Sequence, residues 1–146
     1  MLANISAINI RSTRRATATL PQTAQGALFT IAGGDVKFKI FGVVTTVIQT
    51  QLNNTKIVAN PTTGADVDIC TVNDITADAV GTTYTITGTL ADAMIATTSG
   101  AVGDQVGFIL GKPGTIDLSC SASNTGNIRW YCEWYSPEGL GTLVAV

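Results

Sequence analysis

Thr115-Ile116-Asp117-Leu118-Ser119-Cys120-Ser121 is followed, across Ser123-Asn124-Thr125-Gly126-Asn127, by Ile128-Arg129-Trp130-Tyr131-Cys132-Glu133-Trp134-Tyr135. Both stretches alternate in polarity. Successive side chains of a strand point to opposite faces, so residues two apart share a side. Ile116, Leu118 and Cys120 make one apolar face, and Ile128, Trp130, Cys132 and Trp134 make another. The Asn and Gly residues between them carry turn chemistry, so the segment predicts an antiparallel hairpin. With the turn centred near Gly126, Cys120 falls opposite Cys132, and both tryptophans share an apolar layer with both thiols. A cross-strand disulfide fits that pairing. Two reduced core thiols fit it as well, because the N-terminus Met1-Leu2-Ala3-Asn4-Ile5-Ser6 lacks a basic-then-apolar leader and predicts a cytosolic, reducing setting. Cys70, the third cysteine, reads as a small core residue.

The same alternation recurs outward along the chain. Val36, Phe38 and Ile40 alternate with Lys37 and Lys39, and Tyr84, Ile86, Gly88 and Leu90 alternate with Thr83, Thr85, Thr87 and Thr89. Ala27–Ala32 and Val36–Phe41 flank Gly33-Gly34, which predicts a second hairpin. Further strands are expected at Ile5–Ile10, Val43–Gln51 and Lys56–Ala59, around Val67, Ile69 and Val72, and at Val106–Leu110. A short helical turn is expected near Asp92–Ala96. Threonine is the most frequent residue, and β-branched side chains suit a pleated surface. No window holds a 3.6-residue apolar period for three turns. These patterns predict an all-β fold, an antiparallel β-sandwich or β-barrel in which a jelly-roll-like arrangement is one form. Residues 1–25 form an N-terminal strand and extended arm, and residues 26–146 form a single β domain.

Only 12% of the residues are charged, about half the ~25% of ordinary globular chains. Something other than water therefore covers part of the surface. No apolar run approaches the ~20 residues of a spanning helix, so no membrane role is expected. Histidine is absent, which excludes Ser-His-Asp and Cys-His nucleophilic arrangements. Nothing resembles a phosphate-cradling or dinucleotide loop. The expectation is a protein that is not an enzyme and has no cofactor. Asp66, Asp68, Asp74 and Asp78 lie close in sequence and read as turn and strand-end residues or as a cation site. The calcium-loop pattern fails at Cys70 and Thr71.

Arg11, Arg14 and Arg15 form a basic run with no acid before Asp35. In an acidic chain without interleaved aromatics, the run suits a solvated arm or an arm that docks on an acidic neighbouring subunit, and no direct nucleic-acid contact is expected. Tyr131 and Tyr135 fall on the strand face opposite the tryptophans and are interface candidates, with a sugar platform as the alternative. Leu143 and Val144, in the uncharged tail Leu140–Val146, read either as a tie to another subunit or as the closing strand of the chain's own sheet.

Asn54-Thr55-Lys56-Ile57-Val58-Ala59-Asn60-Pro61, Gly64-Ala65-Asp66-Val67-Asp68-Ile69-Cys70, Thr85-Ile86-Thr87-Gly88-Thr89 and Gly114-Thr115-Ile116-Asp117-Leu118-Ser119-Cys120 with Asn124-Thr125-Gly126 carry a resemblance. Over the chain after Gly42, this texture resembles virion structural proteins of tailed bacteriophages, and in type the small β-rich capsid decoration, or cement, proteins. The resemblance implies a homo-oligomer, trimer or dimer, bound to the major capsid protein at the capsid surface and assembled in the bacterial host cytoplasm. It carries over no functional residues. A phage tail or fibre subunit and a carbohydrate-binding β-sandwich are the competing readings.

Overall fold

The computed structural model describes residues 9–21 and 24–146. The strands are β1 (Arg11–Arg14), β2 (Ala18–Thr19), β3 (Gln25–Ala32), β4 (Val36–Thr46), β5 (Asn54–Pro61), β6 (Val67–Asp68), β7 (Asn73–Asp74), β8 (Thr83–Thr85), β9 (Ile95–Thr97), β10 (Ile109–Gly111), β11 (Gly114–Cys120), β12 (Asn127–Tyr135) and β13 (Thr142–Ala145). They form two antiparallel sheets. The front sheet runs β1-β12-β4-β8-β9, with β2 beside β12 and β10 beside β4. The back sheet runs β13-β3-β11-β5-β6, with β7 beside β5. The sheets share no strand and neither closes on itself, so the molecule is a β-sandwich and the barrel alternative falls.

Parity builds the core as the sequence predicts. Phe38, Ile40, Ile128, Trp130, Cys132 and Trp134 from the front sheet meet Phe29, Ile31, Ile57, Ile116, Leu118 and Cys120 from the back sheet, all buried. The Trp130 ring lies 6.2 Å from that of Tyr84. Gly42 is paired with Trp130 on one side and Tyr84 on the other, so two large rings share the space over a residue with no side chain. For this reason β4 runs unbroken through Gly42, where two separate strands were expected. Between β10 and β8 the edge of β4 is finished by a side chain. Gln105 accepts a bond from Ile40 N at 3.1 Å and donates to Phe38 O at 3.3 Å.

Both predicted hairpins are corrected. β11 pairs with β3 and β5, whereas β12 pairs with β1, β2 and β4. The loop between them is an arch from one sheet to the other, so Cys120 does not face Cys132. In register Cys120 lies beside Thr55, and Cys132 beside Ile40 and Thr13. All three cysteines are free and buried. β3 and β4 also lie in opposite sheets, so Gly33-Gly34 is a second arch. Gly33 takes φ 79°, and a Cβ there would lie 2.5 Å from Leu140 O. The tail crosses directly over this arch, which explains the glycine better than a tight turn does.

Other expectations shift locally. The threonine ladder Thr83–Leu90 is a strand only to Thr85, because Gly88 turns the chain at φ 95°. The helical turn near Asp92–Ala96 is absent; Ile95–Thr97 is strand β9 against β8. Val106 is 90% exposed, and the strand expected from it starts at Ile109. The expected strand Ile5–Ile10 lies largely outside the described residues.

Candidate functional site

The outer face of the front sheet brings aromatic and cationic side chains together. Parity that turns Trp130, Cys132 and Trp134 inward turns Arg129, Tyr131, Glu133 and Tyr135 outward. On β4 the outward set is Lys37, Lys39, Phe41 and Val43. Register sets Phe41 beside Tyr131, Lys37 beside Tyr135 and Lys39 beside Glu133, and Arg14 of β1 lies on the other side of Tyr131. Phe41 and Tyr131 stack with ring centroids 4.8 Å apart. Tyr135 meets Phe108 edge-on at 5.1 Å. Lys39 lies 5.1 Å from the Phe108 ring and pairs with Asp104 at 2.8 Å. Arg14, Lys37 and Arg129 make no ion pair among the described residues. The result is an aromatic platform ringed by uncompensated cations.

The basic run of the sequence divides. Arg11 is exposed and lies over the Trp134 ring at 5.2 Å. Arg14 is exposed on the outer face. Arg15 is half-buried, and its backbone N–H donates to Trp130 O at 2.9 Å. Burial lowers the Arg15 guanidinium pKa. Its Nε is buried without a partner, beside a cavity of about 110 Å³ lined also by Leu20, Leu28, Leu118, Ile128 and Trp130. Residues 11–19 are thus laid along the β12 edge as β1 and β2. Thr13 secures this edge: Trp134 Nε1 donates to Thr13 Oγ1 at 2.9 Å, and Thr13 Oγ1 donates to Leu143 O at 3.2 Å. That relay ties the front sheet to the last strand of the back sheet.

The tail is the closing strand β13, paired with β3. Leu143 is 2% exposed and belongs to the core, so it leaves the interface set because its side chain fills the gap between sheets. Val144 is 53% exposed and stays on the surface.

The carboxylates Asp66, Asp68, Asp74 and Asp78 do not converge. Asp66 accepts from Gln25 Nε2 at 3.2 Å, and Asp68 pairs with Lys56 at 2.6 Å. Asp74 accepts from the backbone of Asn53 and Thr76 and from the Thr76 hydroxyl; the Thr76 bonds hold its carboxyl below the usual range. Asp78 accepts from the Tyr84 hydroxyl at 2.6 Å, and burial together with this bond drives the phenol pKa strongly upward. Each carboxylate fixes a different loop or strand end.

The feature that sequence reading missed is Asp117. It lies on the outer face of the back sheet yet is only 4% exposed. Its Oδ2 accepts from Gln25 at 2.7 Å and Asn60 at 3.0 Å, and its Oδ1 is buried without a partner. The signal was in the sequence as an acid between Ile116 and Leu118, on the outward parity. The identity of the amides that cover it depends on β3 and β5 lying on either side.

No family model matches the chain, and no curated protein matches it. Among solved structures, a chain of the infectious bursal disease virus Gt strain structure is aligned over 97% of this chain and 40% of that one, at 11% identity and a TM-score of 0.21. At that score the likeness carries no argument.

Proposed function

We propose that this chain is a non-enzymatic structural subunit of a virion, and in its finer form a head decoration protein that oligomerises and binds the major capsid protein of a tailed phage. The observation that carries the assembly role is the outer face of the front sheet. It combines stacked aromatics with Arg14, Arg129 and Lys37, which make no ion pair among the described residues. Tyr and Arg are enriched where binding energy concentrates at protein interfaces. The phage setting rests on the sequence phrases quoted above. Tyr131 spends one ring face on Phe41, and Asp66, Asp68, Asp74 and Asp78 engage separate partners instead of converging beside it, so the geometry favours a protein interface over a sugar platform. The test is density-gradient separation of a lysate from the source, with mass spectrometry of each fraction. Banding with intact particles at a fixed ratio to the main shell protein is the expected result. Confinement to the soluble fractions overturns the reading.

A further inference from the structure

The charge of the sandwich is divided between its two outer faces. Of eight cations in the chain, Arg14, Lys37, Lys39 and Arg129 lie on the front face, where they outnumber the acids Glu133 and Asp104, the latter engaged by Lys39. Among the described residues the back face carries Asp66, Asp68 and Asp117 against one cation, Lys56, which Asp68 already engages. Among the described residues Asp117 is held by the neutral amides of Gln25 and Asn60, with one oxygen unpaired. A buried acceptor left unmatched is destabilising, and such a group needs an account. The complement lies on the opposite face: Arg14 and Arg129 make no ion pair among the described residues.

We propose that the front face of one copy docks on the back face of the next, with Arg14 and Arg129 lying over Asp66 and the Asp117 carboxylate beneath it. The proposal rests on the reading of the chain as an assembly subunit and names the partner of its docking face. Front-to-front contact would set like charges together, so the association is heterologous. Because the two faces point in opposite directions, each added copy leaves the same pair of faces free, and copies add head to tail. The centre of the front face is formed by β12 and β4, of nine and eleven residues, about 10 Å wide and 30 Å long at strand and residue spacings of about 4.8 and 3.4 Å, and the shorter β1 and β8 extend it on either side.

The experiment is sedimentation velocity on the purified full chain over a concentration series. It is run at about 0.1 M and about 1 M NaCl, between which the screening length falls from about 10 to about 3 Å. The expected result is growth of heavier species with concentration at low salt, and association at least tenfold weaker at high salt. Arg14→Glu with Arg129→Glu makes both faces acidic, and Asp66→Arg with Asp68→Arg makes the back face basic as well as the front. Each double variant alone is expected to stay monomeric. Their equimolar mixture is expected to associate at least tenfold more strongly than either, because each supplies the face the other lacks. A wild-type chain that stays monomeric at low salt overturns the proposal, as does association insensitive to salt or a mixture no better than its components. A monomeric chain that still bands with particles leaves the virion reading standing and removes only the head-to-tail contact.

Discussion

Replacing Gly42 with alanine tests the packing of the front sheet. A Cβ at this position would lie 2.7 Å from Trp130 Cε3 and 2.8 Å from both Cδ2 and Cζ3. Trp130 is 1% exposed and Tyr84 fully buried, so Tyr84 blocks the indole on one side and only the small cavity of about 110 Å³ beside Arg15 lies open to it. Overpacking of this kind costs about 1–3 kcal/mol, and contact with three ring atoms places the cost near the top of that range. Alanine returns about 0.5–1 kcal/mol through its lower strand entropy cost relative to glycine. The expected net loss is about 2 kcal/mol. With a urea slope of about 1.5 kcal/mol per molar, the midpoint falls by about 1.3 M at unchanged slope. Equilibrium urea unfolding followed by tryptophan fluorescence measures this, and Trp134 remains as a reporter when Trp130 is changed. In a Trp130→Leu background the same glycine substitution should cost almost nothing, a coupling of at least about 1.5 kcal/mol in the double-mutant cycle. A midpoint shift below about 0.3 M, or an equal cost in both backgrounds, refutes the packing argument.

Thr13→Val removes both the acceptor of the Trp134 indole N–H and the donor to Leu143 O; it should cost about 1–2 kcal/mol, with Thr13→Ser near wild type, as read from thermal unfolding. Equal melting of the two variants would sink the relay. Deleting residues 1–24, which leaves Gln25 of β3 in place, strips β1 and β2 from β12 and bares a nine-residue strand edge, a template for aggregation. The deletion should give aggregates or lose cooperative unfolding, and a soluble product with the wild-type transition would show that the edge needs no cover. Burial raises the pKa of Cys70, Cys120 and Cys132. Their contribution to stability is therefore complete below the unfolded thiol value of about 8.5 and is lost as pH rises through the folded values. Urea midpoints should decline above pH of about 8.5, and a midpoint flat to pH of about 10 contradicts this. The same burial predicts that a thiol reagent labels the native chain far more slowly than the denatured one.

Alternation fixes which side chains face inward, and the core follows it residue by residue from Val36 to Ile40, from Ile116 to Cys120 and from Ile128 to Trp134. It is blind to which strand lies alongside. A hairpin and an arch both join two alternating stretches through a loop with Gly and Asn, and both keep the apolar faces inward. Tertiary crowding separates them. A Cβ on Gly126 would lie 2.8 Å from Ile48 Cδ1 and 2.9 Å from Val47 O, so this glycine yields to the chain leaving β4. Gly33 yields in the same way to Leu140. Glycines that resemble tight-turn residues in sequence are here crossing points between sheets, and a crossing is set by segments remote in the chain.

The same distinction governs the candidate site. Arg11, Arg14 and Arg15 are conspicuous as a run, but the run is not the functional unit. Strand parity sends Arg14 outward, Arg15 goes partly under cover beside Trp130, and Arg11 caps Trp134. The unit that forms is Arg14 with Lys37, Lys39 and Arg129, brought together because β1 and β4 flank β12. A local window records sequence neighbours, whereas sheet order sets the neighbours that share a field. Exposed charges act together over about 10 Å at 0.1 M salt, about two strand spacings. A protein with few charges can therefore present two faces of opposite sign, provided its sheet order gathers them. That provision makes the mixture of the two charge-reversed variants the decisive measurement: association recovered only on mixing is a property of faces, which no single residue or local run supplies.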